Sequence, residues 1–233
     1  VVPLHDDNPT TITPVVTYGL IGINIAVFVF QLSLSQEGID GFFDAWALVP
    51  AQLTGSFQGA LQAPIYEWIT LLSSQFLHGG FFHIGGNLLY LWVFGNNIED
   101  RLGHIKFLIF YLGCGALAGL TQWIFDPSSA LPTIGASGAI AGVMGAYILR
   151  FPRARIVTLI PLIIIFTTVR IPAVFFLGFW FVQQALFSIA SLGSDAGSGG
   201  GVAYWAHSGG FVFGLILGPL LGLMGGKVRS PRR

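Results

Sequence analysis

The sequence predicts an all-α membrane protein: a bundle of six transmembrane helices with a long outer loop between the first and the second. Three observations carry this. Apolar residues fill 54% of the 233 positions and charged residues only 9%, against roughly a quarter charged in ordinary soluble domains, and the mean hydropathy is +0.76. The apolar residues gather into six runs, which with their loops use up the chain and leave no room for a second domain. Finally, all 10 Lys and Arg residues fall in loops on one side of those runs. Arg101 and Lys106 follow the second run, Arg150, Arg153, Arg155 and Arg170 the fourth, and Lys227, Arg229, Arg232 and Arg233 the sixth. The opposite loops carry Glu37, Asp40, Asp44, Glu67, Asp126 and Asp195 with no base. Basic loops stay on the cytoplasmic side, so both termini are expected there, with the bacterial plasma membrane as the expected location.

Residues 1–14 carry Pro3, Pro9 and Pro14 with Asp6 and Asp7. They are expected to be an extended polar cytoplasmic lead, without the basic region and cleavage site of a signal peptide. Val15 to Leu34 is the first span. Ser35 to His78 alternates turns with Phe42, Phe43, Trp46, Trp68 and Phe76, the pattern of amphipathic pieces lying in the interface. Phe81 to Ile98 is the second span and Ile105 to Phe125 the third. Asp126-Pro127-Ser128-Ser129 and Pro132 then break the chain. A fourth helix runs from about Ser137 to Arg150. Ile156 to Val169 is apolar but cut by Pro161, Arg170 and Pro172, and is expected to be a re-entrant or interfacial connection. Ala173 to Ala190 is the fifth span, 191–201 a Gly/Ser loop, and Ala203 to Met224 the sixth. The six spans, 15–226, are expected to form one domain ahead of a basic tail, 227–233.

The fourth helix is too short to span. From Ser137 to Arg150 it covers only about 20 Å, against about 30 Å of hydrocarbon, so Ser137 is expected in the first turn of a helix that begins inside the membrane. Most serines in such helices are packing residues. Gly-x-Ser-Gly at a loop-to-helix junction is different, because it exposes a hydroxyl beside backbone N–H groups that have no intrahelical partner.

Polar residues inside spans are functional candidates. His83 and Asn87 are four apart and share a helix face. Counted from Arg101, Asn87 stands roughly 21 Å up its helix, close to the height of Ser137. On the sixth run His207 precedes Gly210 and Gly214, glycines that let a neighbouring helix approach. His5, His78 and His104 are expected to be satisfied structural side chains. Together these groups suggest Ser137 as nucleophile and His207 as general base, with His83, Asn87 and the Ser137 N–H as oxyanion donors. Since no span offers a carboxylate to orient the base, His207 is expected to be held by packing.

These residues resemble the rhomboid intramembrane serine proteases over nearly the whole chain. The motifs are His-x4-His-x3-Asn at His78, His83 and Asn87; Gly-x-Ser-Gly at Gly135 to Gly138, with Gly145; and Ala-His-x2-Gly-x3-Gly at Ala206, His207, Gly210 and Gly214. Glu99 to Gly103 matches the family's Glu-x-Arg-Leu-Gly, which makes Glu99 and Arg101 structural. The resemblance implies a rhomboid-type six-helix fold and a Ser137–His207 dyad with a His83/Asn87 oxyanion hole. It further implies an endopeptidase without cofactor or metal. Its substrates would be transmembrane proteins that enter from the lipid bilayer, and no nucleic-acid partner is expected. The family's tyrosine four residues after the serine is Ala141 here, and its Trp-Arg pair is not evident around Trp68. Two alternatives remain: a rhomboid-like protein that binds membrane segments without cutting them, and a haem or metal protein using His83 and His207.

Overall fold

A computed structural model of the chain describes residues 2–59, 67–162, 165–192 and 202–225. Tyr66, the Gly/Ser loop at 193–201 and the basic tail at 227–233 lie outside the described residues. The chain is mostly helical, as expected. Strand β1 (Val2–Asp6) is followed by helices α1 (Val15–Leu32), α2 (Gln36–Trp46), α3 (Pro50–Phe57) and α4 (Glu67–Ser73), then one 3-10 turn at Ser74–Phe76. After these come α5 (Phe81–Leu102), α6 (His104–Phe125), α7 (Ser137–Arg150), strands β2 (Arg155–Leu162) and β3 (Ile165–Pro172), and helices α8 (Ala173–Ser191) and α9 (Tyr204–Leu220). By length and composition, α1, α6 and α8 can each cross a membrane. Their exposed apolar side chains, such as Val29, Ile109 and Phe179, suit a hydrocarbon environment.

The sequence accounts for where the elements stop. Gly103, at φ 77°, ends α5 and opens α6, a conformation that glycine adopts without penalty. Pro152 follows the last turn of α7, and Pro172 precedes α8. Ser35 caps α2 by accepting the Gly38 N–H. Between α1 and α5 the described residues form the short helices α2, α3 and α4 and one 3-10 turn.

Helix α7 is the centre of the bundle. Every residue from Gly138 to Tyr147 is buried, enclosed by α5, α6, α8 and α9. The core around it includes Phe94, Phe107, Phe110, Tyr111, Met144, Tyr147 and Leu177. Hydrophobicity does not drive helices together in lipid, so close packing of small residues must do it; α7 supplies Gly138, Gly142 and Gly145, and α9 answers with Gly210 and Gly214.

Two expectations are corrected. The chain is not all-α, because residues 2–6, 155–162 and 165–172 form an antiparallel sheet in the order β1-β2-β3. The apolar stretch after α7, expected as a re-entrant or interfacial connection, is the β2-β3 hairpin, with Ile156 opposite Ile171 and Thr158 opposite Val169. Ile156 and Thr158 are buried while Val157 between them is not, the two-residue alternation of a half-buried strand. The lead, expected to be extended, is a strand over Val2–Asp6. Val2 to Asp6 pairs with β2, and Asp100 accepts from Thr11 N–H, Thr11 Oγ1 and Ile12 N–H.

Glu99 anchors this end of the bundle. Its buried carboxylate accepts from Val16 N–H, Thr17 N–H and Thr17 Oγ1 at 2.9, 2.7 and 2.6 Å, first-turn groups of α1 that lack helical partners. His104 Nδ1 lies 2.6 Å from Oε1, the oxygen that also accepts from Val16. Arg101 donates to the Gly225 carbonyl and Lys106 to that of Leu221, which ties the end of α5 and the start of α6 to the residues that follow α9.

Candidate active site

Ser137 opens α7, with Ala136 at the N-cap and no side chain capping the helix. The preceding turn depends on Gly135. Its φ is 112°, and a Cβ there would stand 2.6 Å from His83 Nε2, so glycine serves both the backbone and the approach of His83. The Gly135 N–H is fixed to the Ser74 carbonyl at 2.8 Å. The turn that carries the Ser137 hydroxyl is thereby fixed to the chain before α5.

The hydroxyl meets His207. Ser137 Oγ lies 2.8 Å from His207 Nε2 across the α7–α9 interface. The glycines set this spacing, since a Cβ on Gly145 would fall 2.2 Å from the Phe211 carbonyl oxygen. His207 is not held by packing alone. Its Nδ1 lies 2.8 Å from Oε1 of Gln184 on α8, and the Trp180 ring stands 5.9 Å away at a tilt of 37°. The sequence reasoning missed Gln184. Its signal was a polar residue in an apolar span, one turn after Trp180 and one turn before Ser188.

His83 and Asn87 occupy one face of α5 and, with Ser137, Tyr90, Trp180 and His207, line a cavity of about 630 Å³. The Gly79 N–H donates to His83 Nδ1 at 3.3 Å. Nδ1 is therefore an acceptor, which puts the imidazole proton on Nε2, beside Gly135. Asn87 Nδ2 is buried and finds no acceptor among the described residues. An amide N–H without a partner is costly in such a place, and here it sits where a ligand oxygen can satisfy it. His78 lies outside this cavity. It is buried, its backbone is clasped by both ends of the Gln31 amide, and its ring packs edge-on against His83 at 5.0 Å. His5 and His104 lie away from the cavity as well, beside Asp6 and Glu99.

A hydroxyl hydrogen-bonded to an imidazole, with an unpaired amide N–H across a cavity, can perform nucleophilic acyl transfer. A family model described as the Rhomboid domain matches residues 66–223. The chain belongs to the rhomboid family. Over 214 residues this rhomboid chain is 31% identical to "Rhomboid protein 1, mitochondrial" of Saccharomyces cerevisiae, which covers 86% of the chain and 51% of that protein. It is 40% identical over 80 residues to "Rhomboid protease GluP" of Bacillus subtilis, covering 34% of the chain and 15% of that protein. It is also 32% identical over 88 residues to "Presenilin-associated rhomboid-like protein, mitochondrial" of Homo sapiens, covering 37% and 23%. The chain thus spans about half the length of the yeast relative and less of the other two.

Proposed function

We propose that this rhomboid protein is an intramembrane serine endopeptidase that cleaves transmembrane protein substrates. One observation carries the proposal: the Ser137 hydroxyl is hydrogen-bonded to His207 Nε2 at 2.8 Å, facing a cavity into which Asn87 brings an unpaired amide. The names of bacterial relatives such as GluP point to the same chemistry.

Ser137 Oγ attacks the scissile carbonyl carbon while His207 Nε2 takes its proton. The carbonyl oxygen becomes an oxyanion, which accepts from Asn87 Nδ2, His83 Nε2 and the Ser137 N–H. His207 gives its proton to the departing amine as the C–N bond breaks, leaving an acyl ester on Ser137. Water, deprotonated by the same nitrogen, attacks the ester and regenerates the hydroxyl. No carboxylate takes part.

Of the alternatives, a segment-binding protein without activity has no use for a serine–histidine pair. A haem or metal held by His207 would have to displace either Ser137 or Gln184, because both ring nitrogens are hydrogen-bonded. The proposed topology is six spans with both termini cytoplasmic; the described basic residues gather at one end of the bundle with the sheet. The named relatives divide between mitochondria and bacteria, so the bacterial plasma membrane is not retained and the location is stated as an integral membrane protein. The test is incubation of the purified chain with a reporter transmembrane segment. Wild type is expected to cut it and Ser137→Ala to leave it intact; equal cutting by both would end the proposal.

A further inference from the structure

We infer that Gln184 is a positioning residue that sets the proton of His207 on Nδ1, an inference that rests on the endopeptidase function above. Its side-chain oxygen lies 2.8 Å from Nδ1 while Nε2 of the same ring lies 2.8 Å from Ser137 Oγ. An amide oxygen can only accept, so Nδ1 must be the protonated nitrogen. A neutral imidazole has one N–H. Nε2 is therefore left with its lone pair toward the Ser137 hydroxyl, the state a general base needs. With the opposite tautomer, Ser137 would face a donor and could not be deprotonated.

The surroundings of Gln184 hold it to this task. Trp180, Gln184 and Ser188 are successive turns of one face of α8. Trp180 stands beside the His207 ring. Ser188 Oγ donates to the Gln184 carbonyl and lies 2.9 Å from Ser208 Oγ, on the residue after His207. Helices α8 and α9 are thus linked at two adjacent points, and Gln184 itself is buried. The choice of an amide suits a membrane. A carboxylate in its place would carry a charge that is expensive to bury among spans, whereas the amide offers the same acceptor with none. Ala141 leaves the α7 side without a ring to hold the imidazole, and Gln184 supplies the constraint from α8.

Two measurements test this on the full chain in detergent. Gln184→Met keeps the length of the side chain and removes the oxygen; with the reporter segment its kcat is expected to fall about 10- to 100-fold, as for other outer partners of functional histidines, with KM little changed. Gln184→Glu restores an acceptor and is expected to return kcat to within a few-fold of wild type. Nitrogen-15 NMR of the histidine-labelled wild type, with His207→Ala used to assign the signals, is expected to show the His207 proton on Nδ1. A proton on Nε2, a wild-type kcat in Gln184→Met, or equal losses in the Met and Glu variants would each overturn the inference. Should the wild type cut no faster than Ser137→Ala, the endopeptidase function fails, and the NMR signal alone decides the role of Gln184.

Discussion

Gly210 of α9 lies so close to Gly138 of α7 that a Cβ built on it would stand 2.1 Å from the Gly138 carbonyl oxygen; Gly214 has the same relation to Gly142, at 2.0 Å. This contact lets the hydroxyl of one helix meet the imidazole of the other. A methyl group at Gly210 or Gly214 has backbone in its way, so the helices themselves must move. A displacement near 1 Å at reacting groups costs about 100-fold in rate. Gly210→Ala and Gly214→Ala are expected to lose at least that much cleavage and to melt earlier. Gly178→Ala, at a position with nothing within 4 Å, is the matched control and is expected to behave as wild type.

Labelling separates the nucleophile from neighbouring hydroxyls. A fluorophosphonate is expected to modify Ser137 and to spare Ser128 and Ser129, which have no histidine partner among the described residues. His207→Ala is expected to label far more slowly, because its serine has lost the base. Mass spectrometry of the modified peptide reads the outcome; label found on any other serine would contradict the assignment.

Glu99 makes a separate prediction about stability. Its removal strands the Val16 and Thr17 N–H groups and the Thr17 hydroxyl, and takes from the exposed His104 ring its carboxylate partner. Leaving a buried donor without its acceptor typically costs about 1 to 3 kcal/mol. Glu99→Ala is expected to unfold much more readily in detergent, and Glu99→Gln, which keeps an acceptor oxygen, to lose less. Equal unfolding midpoints for the three proteins would show that Glu99 does not anchor α1.

Much of the helical bundle was legible because its signals are local. Six apolar runs mark helices, and Ser137 could be placed in the first turn of a helix that ends at Arg150. Asn87 and His83 could be put on one face by their spacing. The sheet was not legible in the same way. Its β-branched residues, Ile156, Val157, Thr158, Val169 and Ile171, were present, but a short apolar run suits a buried helix or a strand equally well. What completes the sheet around β2 is a second partner beside β3, Val2 to Asp6, that lies about 150 residues earlier in the chain and reads from its own composition as an extended polar lead. Gln184 was hidden for a related reason. An amide in a span announces nothing until the fold turns it toward Nδ1 of His207.

The half-buried end of β1 at Asp6 makes stability depend on pH. Burial pushes the Asp6 carboxyl from its ordinary 3.8 up to about 6, although the Tyr147 hydroxyl opposes this by donating to it. Asn97 Nδ2 donates to the same oxygen at 2.9 Å. Between about pH 4 and pH 6 the native state holds a proton that the unfolded state releases, so the contribution of Asp6 falls as pH rises through that window and is flat above it. Two pH units correspond to about 3 kcal/mol at most. Asp6→Asn, which keeps an acceptor oxygen for Tyr147 and Asn97, is expected to flatten the melting profile between these pH values and to be more stable than wild type at pH 7. A profile unchanged by Asp6→Asn would assign the pH dependence to another group.

The last prediction separates a donor to the oxyanion from a packing amide. Asn87 Nδ2 is buried without an acceptor, which is unfavourable in the resting protein and is relieved when a negative oxygen forms in the cavity. Such an interaction strengthens in the transition state, so its loss lowers kcat rather than raising KM. Removing one oxyanion donor costs about 10²- to 10³-fold, roughly 3 to 4 kcal/mol, because the remaining donors persist. Asn87→Ala is therefore expected to cleave slowly but measurably, where Ser137→Ala does not cleave at all. His83→Ala is expected to behave similarly, since its Nε2–H faces the same cavity. The double variant should lose less than the product of the two if both donors serve one oxygen. A packing role gives the opposite pattern. Asn87→Ala would then melt earlier in detergent while the surviving folded protein kept a kcat near wild type, and the cavity donor would have to be sought in His83 and the first turn of α7 alone.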